Sequence, residues 1–435
     1  MIRKKKKVLV IGGGGREHAI VWKLKQSPRV EAIYCTPGNA GIARDAHCFD
    51  MPPGENFSGL VRMAFQLDID YTVVGPEAPL AAGIVDAFEA AGLKIFGPCR
   101  EAAKIEASKS FAKEIMRAAR IPTANSETFT DAKAAIKYAR ELGAPLIVKA
   151  DGLAAGKGVV VAQHIDEAIQ AIRANLEERQ FGAASEKIVI EEYLEGEEAS
   201  VMAFTDGNVI LPMASAQDHK RLRDEDLGPN TGGMGAYSPA PVVTDDMMDE
   251  LRETVFLPLL EEFQKRGIVY NGVIYAGLMI TAEGPRVLEF NCRFGDPETQ
   301  VVLPRLENDL LDIVEAVCEE RLCEHHLEWD SRSAVCVIMA ARGYPEAPEK
   351  GAVITGLDEV QQDGRVLVFH SGTARCGRDY VVAGGRVVGL TAMQSSLVRA
   401  LHVVYEEIKR IHFDGAYYRR DIGYRALQRL EQEER

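Results

Sequence analysis

The sequence predicts a multidomain protein of mixed α/β and α+β class. Its 435 residues exceed what one hydrophobic core usually holds, which is about 250–300 residues. Short apolar strands alternate with helical patterns over the first hundred residues, and this alternation is typical of a parallel sheet with right-handed crossovers. From residue 199 strands dominate, and they resume after Trp329. We therefore expect about three or four domains.

The N-terminal unit carries the alternating pattern. Strands are predicted at residues 8–11, 32–35, 71–74 and 94–96, and helices near residues 18–25, 57–67 and 80–91. Ligands of such sheets bind beyond the carboxyl ends of the strands. Each of these ends is followed by a segment rich in Gly or Pro, so we expect a ligand site at that edge.

A dinucleotide-binding motif is the obvious alternative for this unit. The pattern G-x-G-x-x-G requires glycine at position 17 or 18, where Glu17 and His18 stand. The second strand also ends without the acid that binds a ribose. A nicotinamide cofactor is therefore disfavoured, whereas a phosphate or a phosphosugar can still bind the turn at residues 12–15 and the helix behind it.

The remaining elements follow from the same patterns. Helices are predicted at residues 108–119, 131–142, 165–176, 245–266, 306–320 and 397–411, and strands at residues 145–149, 159–162, 187–191, 334–341, 366–369, 380–383 and 386–390. Between residues 199 and 291 the pattern is otherwise strand-rich, with a polar, glycine-rich loop at residues 217–238. A separate C-terminal domain is expected after Trp329.

The most informative segment is residues 148–161. An apolar strand ends at Lys149, and the loop that follows contains Gly152, Gly156, Lys157 and Gly158. Glycines let the backbone approach an anion, while free N–H groups and lysines neutralise phosphate. The spacing of the glycines, and a glycine where Ser or Thr should follow the lysine, exclude a Walker A loop. We predict a flexible hairpin over a nucleotide triphosphate; the alternative is an ordinary strand-end lysine in solvent.

A second motif follows residue 287. In an extended strand Glu289, Asn291 and Arg293 share one face. The residues of the other face, expected in the core, are Leu288, Phe290 and Cys292. A carboxylate and an amide oxygen about 7 Å apart along a strand suit a hard cation such as Mg²⁺, and the arginine suits a phosphoryl group or a carboxylate. A half-exposed amphipathic strand is the alternative.

Two charged segments complete the set of candidates. The first, at the end of a predicted strand, comprises Glu191, Glu192, Tyr193, Leu194 and, after a turn, Glu198. Its backbone groups can pair with the edge of adenine, and Glu198 with ribose hydroxyls, although acidic strand ends are usually just solvated. The second is the loop at residues 217–238, which contains Asp218 and Lys220 and is typical of a substrate-contacting loop rather than a linker.

Composition excludes several classes of function. A net charge of −14 disfavours nucleic-acid binding, which depends on a basic surface. The chain has no run of about 18 apolar residues that would span a membrane. The basic run at residues 3–7 precedes only four apolar residues, too few for a secretory signal, so we expect a solvated lead-in to the first strand. The eight scattered cysteines fit a reducing cytosol.

In these motifs the chain resembles the ATP-grasp superfamily and, within it, the phosphoribosylamine–glycine ligase family. The similar blocks are residues 8–18, 37–41, 74–79, 95–98, 149–159, 191–200, 217–221, 228–241, 275–279, 289–300 and 421–427. The resemblance implies an ATP-grasp fold with an N-terminal parallel-sheet domain (Rossmann-like, pre-ATP-grasp), a small lid and a C-terminal β-rich domain. The implied bounds are 1–105 for the first domain, 106–124 for a linker helix, 125–193 for the lid, 194–330 for the central domain and 331–435 for the last.

The resemblance also implies an ATP-dependent ligation in purine synthesis. Glycine's carboxylate would attack the γ-phosphate to give glycyl phosphate, and the amine of 5-phosphoribosylamine would then displace phosphate. Mg²⁺ or Mn²⁺ would bind Glu289 and Asn291. Arg293 would stabilise the transferred phosphoryl group, and Asp218 and Lys220 would hold glycine. The residues implied to hold ATP are Lys109, Lys149, Gly152, Gly156, Lys157, Gly158, Glu191, Glu192, Tyr193, Leu194 and Glu198.

The phosphoribosyl part would bind the N-terminal turns. The implied residues are Gly14, Gly15, Arg16, Glu17, Gly38, Asn39, Gly41 and Glu77, with Asp296 nearby. Many ATP-grasp proteins have a second acid on the strand before the Glu-x-Asn motif, and residues 275–279 have none. We expect a stand-alone cytoplasmic monomer whose partners are small molecules, with no nucleic acid and no membrane. The alternatives are another ATP-grasp carboxylate-amine ligase or carboxylase, such as a biotin carboxylase-like enzyme, and a nucleotide-binding regulator without turnover.

Overall fold

The computed structural model describes residues 5–54, 56–154 and 158–433. Its N-terminal elements are β1 (Lys6–Gly12), α1 (Gly15–Lys25), β2 (Val30–Pro37), β3 (His47–Cys48), α2 (Ser58–Gln66), β4 (Tyr71–Val74), α3 (Glu77–Ala82), α4 (Ile84–Ala90) and β5 (Ile95–Phe96). The strands form one parallel sheet in the order β3-β2-β1-β4-β5. Their carboxyl ends therefore meet at one edge, as the alternating pattern predicts. The helix predicted at residues 80–91 is divided because Gly83 adopts a φ of +89°.

A small antiparallel sheet follows two connecting helices. The elements are α5 (Arg100–Ala107), α6 (Lys109–Ala118), β6 (Ser126–Phe129), α7 (Ala132–Leu142), β7 (Leu146–Ala150), β8 (Val159–Ala162), α8 (Ile165–Leu176) and β9 (Ile188–Glu192). The strand order is β6-β9-β7-β8. Strands β7 and β8 pair antiparallel, which is the hairpin that the glycine-rich segment predicts. We call residues 125–193 the lid.

The central part of the chain is strand-rich, as expected. Its elements are β10 (Glu197–Asp206), β11 (Ile210–Pro212), β12 (Gln217–Asp218), β13 (Arg221–Arg223), β14 (Leu227–Asn230), β15 (Gly235–Ser238), α9 (Asp245–Leu251), α10 (Leu257–Lys265), β16 (Asn271–Thr281) and β17 (Gly284–Asn291). The central sheet is antiparallel in the order β11-β10-β16-β17. The single helix predicted at residues 245–266 contains a π-helical segment, Arg252–Phe256, next to Pro258, which lacks the N–H that a regular helix needs there.

The prediction of a loop at residues 217–238 is wrong, because this segment contains four short strands. Two of these, β13 and β14, form a hairpin. The other two, β12 and β15, join a sheet that continues into the C-terminal part. The polar, glycine-rich composition of the segment gives no local sign of the pairing between β15 and β18, because β18 lies about a hundred residues further along the chain.

The C-terminal part completes that sheet. Its elements are α11 (Thr299–Val302), α12 (Leu310–Cys318), β18 (Ser333–Ala340), β19 (Val353–Ile354), α13 (Leu357–Asp363), β20 (Leu367–His370), β21 (Thr373–Cys376), β22 (Asp379–Val382), β23 (Arg386–Gln394), α14 (Leu397–Ile408) and α15 (Tyr424–Glu433). The sheet order is β12-β15-β18-β23-β20, with a smaller sheet β19-β22-β21 beside it. Strands β15 and β18 of this sheet therefore lie on opposite sides of the domain boundary that is predicted between residues 330 and 331. The five predicted domain bounds stay predictions.

The buried apolar residues fall into clusters of two kinds. Two large clusters each draw on the N-terminal, central and C-terminal parts; Leu9, Tyr237 and Val335, for example, share one of them. A third cluster contains only lid residues, between Ala132 and Ile190. The lid thus has its own small core, while the rest of the described chain packs as one body.

Candidate active site

A β-bulge in β17 sets the position of the catalytic candidates. Gly277 pairs with Glu289, but the next residue of β16, Leu278, pairs with Val287. Leu288 is therefore the extra residue of the bulge. The prediction that Leu288 faces the core is wrong, because the bulge turns Val287 inward instead; Phe290 and Cys292 are buried as predicted.

Lys149 joins the lid to this bulge. Its Nζ donates a hydrogen bond to the Leu288 carbonyl at 3.0 Å and forms an ion pair with Glu191 Oε2 at 3.0 Å. The side chain is buried, so the alternative of a solvated strand-end lysine is wrong. The flap strand β7 and the acidic strand β17 thus meet at one place, although their residues are far apart in the sequence.

Four cations surround the Glu289 carboxylate. Burial alone would raise the pKa of Glu289, but Lys220, Lys149, Lys109 and Arg293 together hold the pKa below its ordinary value. Glu289 is therefore ionised near neutral pH. Several of these cations are paired with other carboxylates, such as Lys149 with Glu191 and Lys220 with Glu198; a cluster of cations whose pairs can be exchanged suits a polyanion such as a triphosphate.

Lys109 and the base of the flap are held by Asp151. The Lys109 Nζ donates to the Gly152 carbonyl at 3.3 Å, and the Lys109 backbone N–H donates to the Asp151 carbonyl. The Asp151 carboxylate accepts hydrogen bonds from the Ser110 N–H and the Ser110 and Ser108 hydroxyls. Burial lowers the pKa of Lys109, while Glu289, Asp151 and Glu106 act against this lowering.

The glycines of the flap differ in their surroundings. A β-carbon on Gly152 would lie 2.6 Å from that of Ala184, and one on Gly158 would lie 2.8 Å from that of Ala154. Both glycines therefore allow the backbone to pack closely at the two ends of the flap. Gly156 and Lys157 lie outside the described residues, and their predicted contact with phosphate stays a prediction.

The adenine candidates have distinct environments. The Glu191 side chain is buried against Lys149 and Lys113, and the Glu192 N–H donates to the Asn125 carbonyl. The Glu191 carboxylate and the Glu192 N–H are therefore already paired with other groups of the protein. Among the described residues, no hydrogen-bond partner is found for the backbone N–H of Tyr193 or Leu194, which follow the end of β9. A free N–H beyond a strand end can pair with a ligand edge.

Asp218, Lys220 and Glu198 come together beside Glu289. Lys220 Nζ lies 2.7 Å from Glu198 Oε2. Burial alone would lower the pKa of Lys220, but Glu198, Asp218 and Glu289 hold it well above the ordinary value. Burial raises the pKa of Asp218 to about 7, helped by Glu298, Glu198 and Glu289 and opposed by Lys220. The site thus offers a cation next to a carboxyl group that titrates near neutrality.

Arg293 is fixed where the N-terminal sheet meets the central sheet. Its guanidinium contacts Glu106 Oε1 at 2.8 Å, Glu77 Oε2 at 3.3 Å and Asn291 Oδ1 at 3.2 Å. Glu106 also accepts a hydrogen bond from the Cys292 N–H. Two carboxylates therefore set the position of the arginine, and they place it next to the proposed metal ligand Asn291.

Glu289 and Asn291 fit a magnesium site. Both lie on β17 after the bulge, with an ionised carboxylate on the first and an amide oxygen on the second. Mg²⁺ is usually held by one or two protein oxygens, with phosphates and water completing its shell. No group of three or more His, Cys, Asp or Glu residues suited to a metal is found in the part of the chain that the structure describes, and such a group is not needed for this mode of binding.

The predicted phosphoribosyl residues lie at the carboxyl edge of the N-terminal sheet. Glu17 caps the turn by accepting the Gly14 N–H and pairs with Arg16 Nε at 2.6 Å. Arg16 Nη1 also lies 4.0 Å from Glu77 Oε2. A β-carbon on Gly14 would stand 3.7 Å from Asp296 Oδ2, so Asp296 approaches the first turn of α1, as predicted.

Three of the predicted substrate residues also make close contacts within the fold, and their contact with substrate stays a prediction. The Asn39 side chain donates to the Gly13 and His370 carbonyls and accepts from the Gly41 and Ile42 N–H groups. A β-carbon on Gly41 would lie 2.3 Å from the His370 ring, and one on Gly38 would lie 2.4 Å from Cys48 Sγ. These contacts leave no room for a ligand on the sides that they occupy.

The C-terminal part supplies residues that the sequence did not indicate. Arg386 Nη2 pairs with Asp296 Oδ2 at 2.7 Å, and Nη1 donates to the Asp296 and Gly232 carbonyls. Gln300 Nε2 donates to Asp296 Oδ1 at 2.7 Å, and its buried Oε1 has no hydrogen-bond partner among the residues that the structure describes. Gln300 could have been found from its place four residues after Asp296, whereas nothing local marks Arg386.

The fold and the cluster of buried lysines define an ATP-grasp protein. A crystal structure of the biotin carboxylase domain of Hydrogenobacter thermophilus 2-oxoglutarate carboxylase is 16% identical, with a TM-score of 0.72 over 96% of this chain and 92% of that one. That likeness concerns the fold alone. The phosphoribosylamine–glycine ligase of Thermotoga maritima gives a TM-score of 0.82 at 32% identity, over 96% of this chain and 100% of that one.

Sequence comparisons give the family. Models of the N domain, the ATP-grasp (A) domain and the C domain of phosphoribosylglycinamide synthetase match residues 6–106, 107–299 and 334–425. The phosphoribosylamine–glycine ligase of Vibrio vulnificus (strain YJ016) is 49% identical over 427 residues, covering 98% of this chain and 99% of that protein. The chain therefore belongs to the phosphoribosylglycinamide synthetase family, and the resemblance seen in its motifs is confirmed.

Two general features accompany this assignment. None of the described helices combines the length and the apolar character that crossing a membrane requires. All eight cysteines are free.

Proposed function

We propose that this chain joins glycine to 5-phosphoribosylamine with the use of ATP, and releases ADP, phosphate and glycinamide ribonucleotide. Its relatives of similar length carry the name of this ATP-dependent ligase. The observation that carries the proposal is the cluster of Lys109, Lys149, Lys220 and Arg293 around the ionised Glu289. A glycine carboxylate and a triphosphate are both anions, and both need such a cluster to approach each other.

The nucleotide would lie between the lid and β17. Lys109 and Lys149 would bind phosphate oxygens, since both ammonium groups lie beside Glu289. The free Leu194 N–H would pair with the adenine edge. Glu198 would reach the ribose, once Lys220, its present partner, takes up an anionic substrate. Glu191 and Glu192 would support these contacts through Lys149 and Asn125 rather than by touching the base.

Glu289 and Asn291 would hold Mg²⁺ or Mn²⁺ against the phosphates. When bound, the ion would withdraw charge from the phosphate oxygens and so favour attack on the γ-phosphorus. The chain's own residues supply the remaining electrostatics. Arg293, fixed by Glu77 and Glu106, would face the transferred phosphoryl group, and a preorganised cation of this kind needs no rearrangement during reaction.

Glycine would bind at Asp218 and Lys220. The Lys220 ammonium would orient the glycine carboxylate toward the γ-phosphate, and Asp218 would accept a hydrogen bond from the glycine ammonium. Attack by the carboxylate gives glycyl phosphate and ADP. The amine of phosphoribosylamine then attacks the carbonyl carbon, and inorganic phosphate leaves as the amide forms.

Phosphoribosylamine would enter from the N-terminal sheet. The first turn of α1, at Gly14, Gly15 and Arg16, offers N–H groups and a guanidinium to the 5-phosphate. Asp296, held by Arg386 and Gln300, would accept hydrogen bonds from ribose hydroxyls. Glu17 and Glu77 would fix Arg16, while Gly38, Asn39 and Gly41 would give the pocket its shape.

The proposal is tested by coupled ADP release with freshly made phosphoribosylamine. Full turnover is expected only with ATP, glycine and phosphoribosylamine together, and omission of glycine or of phosphoribosylamine should reduce it to background. Turnover that ignores glycine would refute the ligase. Stimulation by bicarbonate and biotin would instead support the carboxylase alternative.

The remaining expectations concern assembly and location. We propose a monomer, and light scattering on the purified chain should give a mass near 47.7 kDa; a mass of twice that value would contradict it. The free cysteines support a reducing compartment such as the cytoplasm. The charge of −14 supports small-molecule partners over nucleic acid.

A further inference from the structure

Lys113 is a buried lysine that the proposed reaction does not use. It lies on α6, one helical turn after Lys109, and its side chain is only 6% exposed. Its Nζ donates to Thr123 Oγ1 at 2.8 Å and to the Ala124 carbonyl at 3.2 Å, and it lies 3.3 Å from Glu191 Oε1. A cation is rarely buried in this way without a specific partner.

Lys113 and Lys149 share one carboxylate. Lys149 contacts Glu191 Oε2 while Lys113 lies against Oε1, and the Glu191 side chain is 2% exposed. The three groups carry a net charge of +1 when all are ionised. Burial lowers the pKa of Lys113 to about 8, so Lys113 is largely protonated at neutral pH. The two lysines therefore carry one positive charge more than Glu191 neutralises, and Lys149 is the lysine that lies beside Glu289.

These groups form a closed ring with the catalytic strand. The Thr123 hydroxyl donates to the Val287 carbonyl at 2.6 Å, and Lys149 donates to the next carbonyl, that of Leu288. The ring thus runs from Lys113 through Thr123 to the bulge of β17, and back through Lys149 and Glu191. The ring joins α6, the lid and β17. Of its members, Lys149 alone is proposed to contact the nucleotide.

We propose that Lys113 is a positioning residue that keeps the Glu191 carboxylate paired when Lys149 turns to a nucleotide phosphate. The proposal depends on the role assigned above to Lys149. If Lys113 were absent, binding of ATP would leave a buried carboxylate without a partner, and the resulting desolvation penalty would weaken nucleotide binding. Lys149 would then stay on Glu191, and the free energy of ATP binding would fall although no ATP contact had been removed.

The test compares the variants Lys113→Met, Glu191→Gln and the double variant, with Lys137→Met as the control. Lys137 is an exposed lysine of the lid helix α7, so the control removes the same charge from a helix surface without opening a buried ion pair. The measurements are the calorimetric Kd for adenylyl imidodiphosphate with Mg²⁺, and KM and kcat in the ADP-release assay. Circular dichroism and melting temperature report folding of each variant.

Lys113→Met is expected to weaken nucleotide binding at least about 10-fold, as loss of one partner of a buried ion pair should, with kcat at saturating ATP within about 3-fold of the wild type. In the Glu191→Gln background the same change should alter Kd less than about 3-fold, because no carboxylate remains to be paired. The Lys137→Met control should match the wild type.

A 10-fold loss that persists in the Glu191→Gln background would overturn the proposal, since Lys113 would then act on packing alone. Equal affinity of Lys113→Met and the wild type would overturn it as well. A Lys149→Met variant separates this inference from the proposed function. If that variant binds the analogue normally, the nucleotide site itself is misplaced; if it binds weakly while Lys113→Met does not, only the role of Lys113 is wrong.

Discussion

The two sides of the proposed active site are built differently. The lid carries its own core of small and aliphatic residues between Ala132 and Ile190, and it meets β17 through buried polar contacts such as Lys149 with Leu288. The phosphoribosyl side is packed into the body, with Gly41 against His370 and Asn39 bound to two other segments. Polar contacts can be exchanged for a ligand, whereas close packing can only be deformed.

This difference assigns a different task to each side. We expect the proposed nucleotide side to open and close, because the lid could keep its own core intact while phosphate replaces its ion pairs. We expect the proposed sugar side to be preformed, because Arg386 of the C-terminal part already holds Asp296. Variants on the two sides should therefore affect different substrates.

The largest effect is expected at the junction of the two sides. Glu289→Gln should lower kcat about 10³-fold, because it removes the carboxylate that is proposed to hold the metal and that lies beside four cations. Steady-state ADP release measures this effect, and circular dichroism should show an unchanged fold.

The matched control for Glu289 is Glu283→Gln. Glu283 lies just before the same strand, exposed and paired only with Arg286, and its variant should retain wild-type turnover. If Glu289→Gln unfolds the protein as much as it inactivates it, the strand is structural and its catalytic role is wrong.

The next effect separates the two substrates. Arg386→Met should raise KM for phosphoribosylamine about 10- to 100-fold. The reason is that Asp296 loses its charged partner and the proposed phosphoribosyl pocket loses a side chain that lines it. KM for ATP should stay unchanged. Lys149→Met should do the opposite, with the increase confined to ATP.

Arg399→Met is the control for Arg386→Met, because Arg399 is an exposed arginine whose guanidinium donates to the Ser395 hydroxyl. Equal increases in both KM values for either site variant would mean that the two sides are not independent.

A smaller effect is expected in the pH dependence of stability. The pKa of Asp218 is raised from 3.8 to about 7 in the folded protein, so the fold binds this proton more tightly than the unfolded chain does. Stability from this group is present at low pH and is lost as pH rises through that window. The melting temperature of Asp218→Asn relative to the wild type should therefore increase between about pH 4 and pH 7 and then level off.

If the melting temperature of Asp218→Asn relative to the wild type fell between about pH 4 and pH 7, the raised pKa of Asp218 would be contradicted. The variant Asp246→Asn, at an exposed acid in the first turn of α9, should show no comparable trend.

The smallest effect on turnover is expected from the lid core. Ile172→Ala removes a fully buried side chain of that cluster and should destabilise the lid by about 2–5 kcal/mol. Hydrogen exchange should accelerate in residues 132–190 and hardly change in the body. Val404→Ala, in the large cluster, should instead accelerate exchange across the body. Uniform acceleration by both variants would show that the lid is not a separate unit.

Much of the fold could be predicted from local patterns. The alternation of the first hundred residues predicted the parallel sheet, and the glycine-rich segment with its flanking strands predicted the β7–β8 hairpin. These features depend on neighbours in the sequence. The short strands β12 to β15 could not be predicted. Strand β15 pairs with the distant β18 and β12 pairs with β15, while β13 and β14 are a hairpin of only three and four residues.

The candidate site was predictable where a motif is contiguous. Glu289, Asn291 and Arg293 follow one another at strand spacing, and the structure places them together. The bulge at Leu288 was not predictable, since it depends on the register with β16. Lys113, Glu106 and Arg386 were missed because each is an isolated charge in the sequence and acquires a role only through partners from distant segments.

The central claim is that Lys149 of the lid and Glu289 of β17 hold one triphosphate between them. A crystal structure with adenylyl imidodiphosphate and Mg²⁺ tests it most directly. We predict phosphate oxygens in contact with Lys149 Nζ, a metal ion bound to Glu289 and Asn291, and the adenine against the Leu194 N–H. A nucleotide bound elsewhere, or one that leaves Glu289 without contact to metal or phosphate, would contradict the claim.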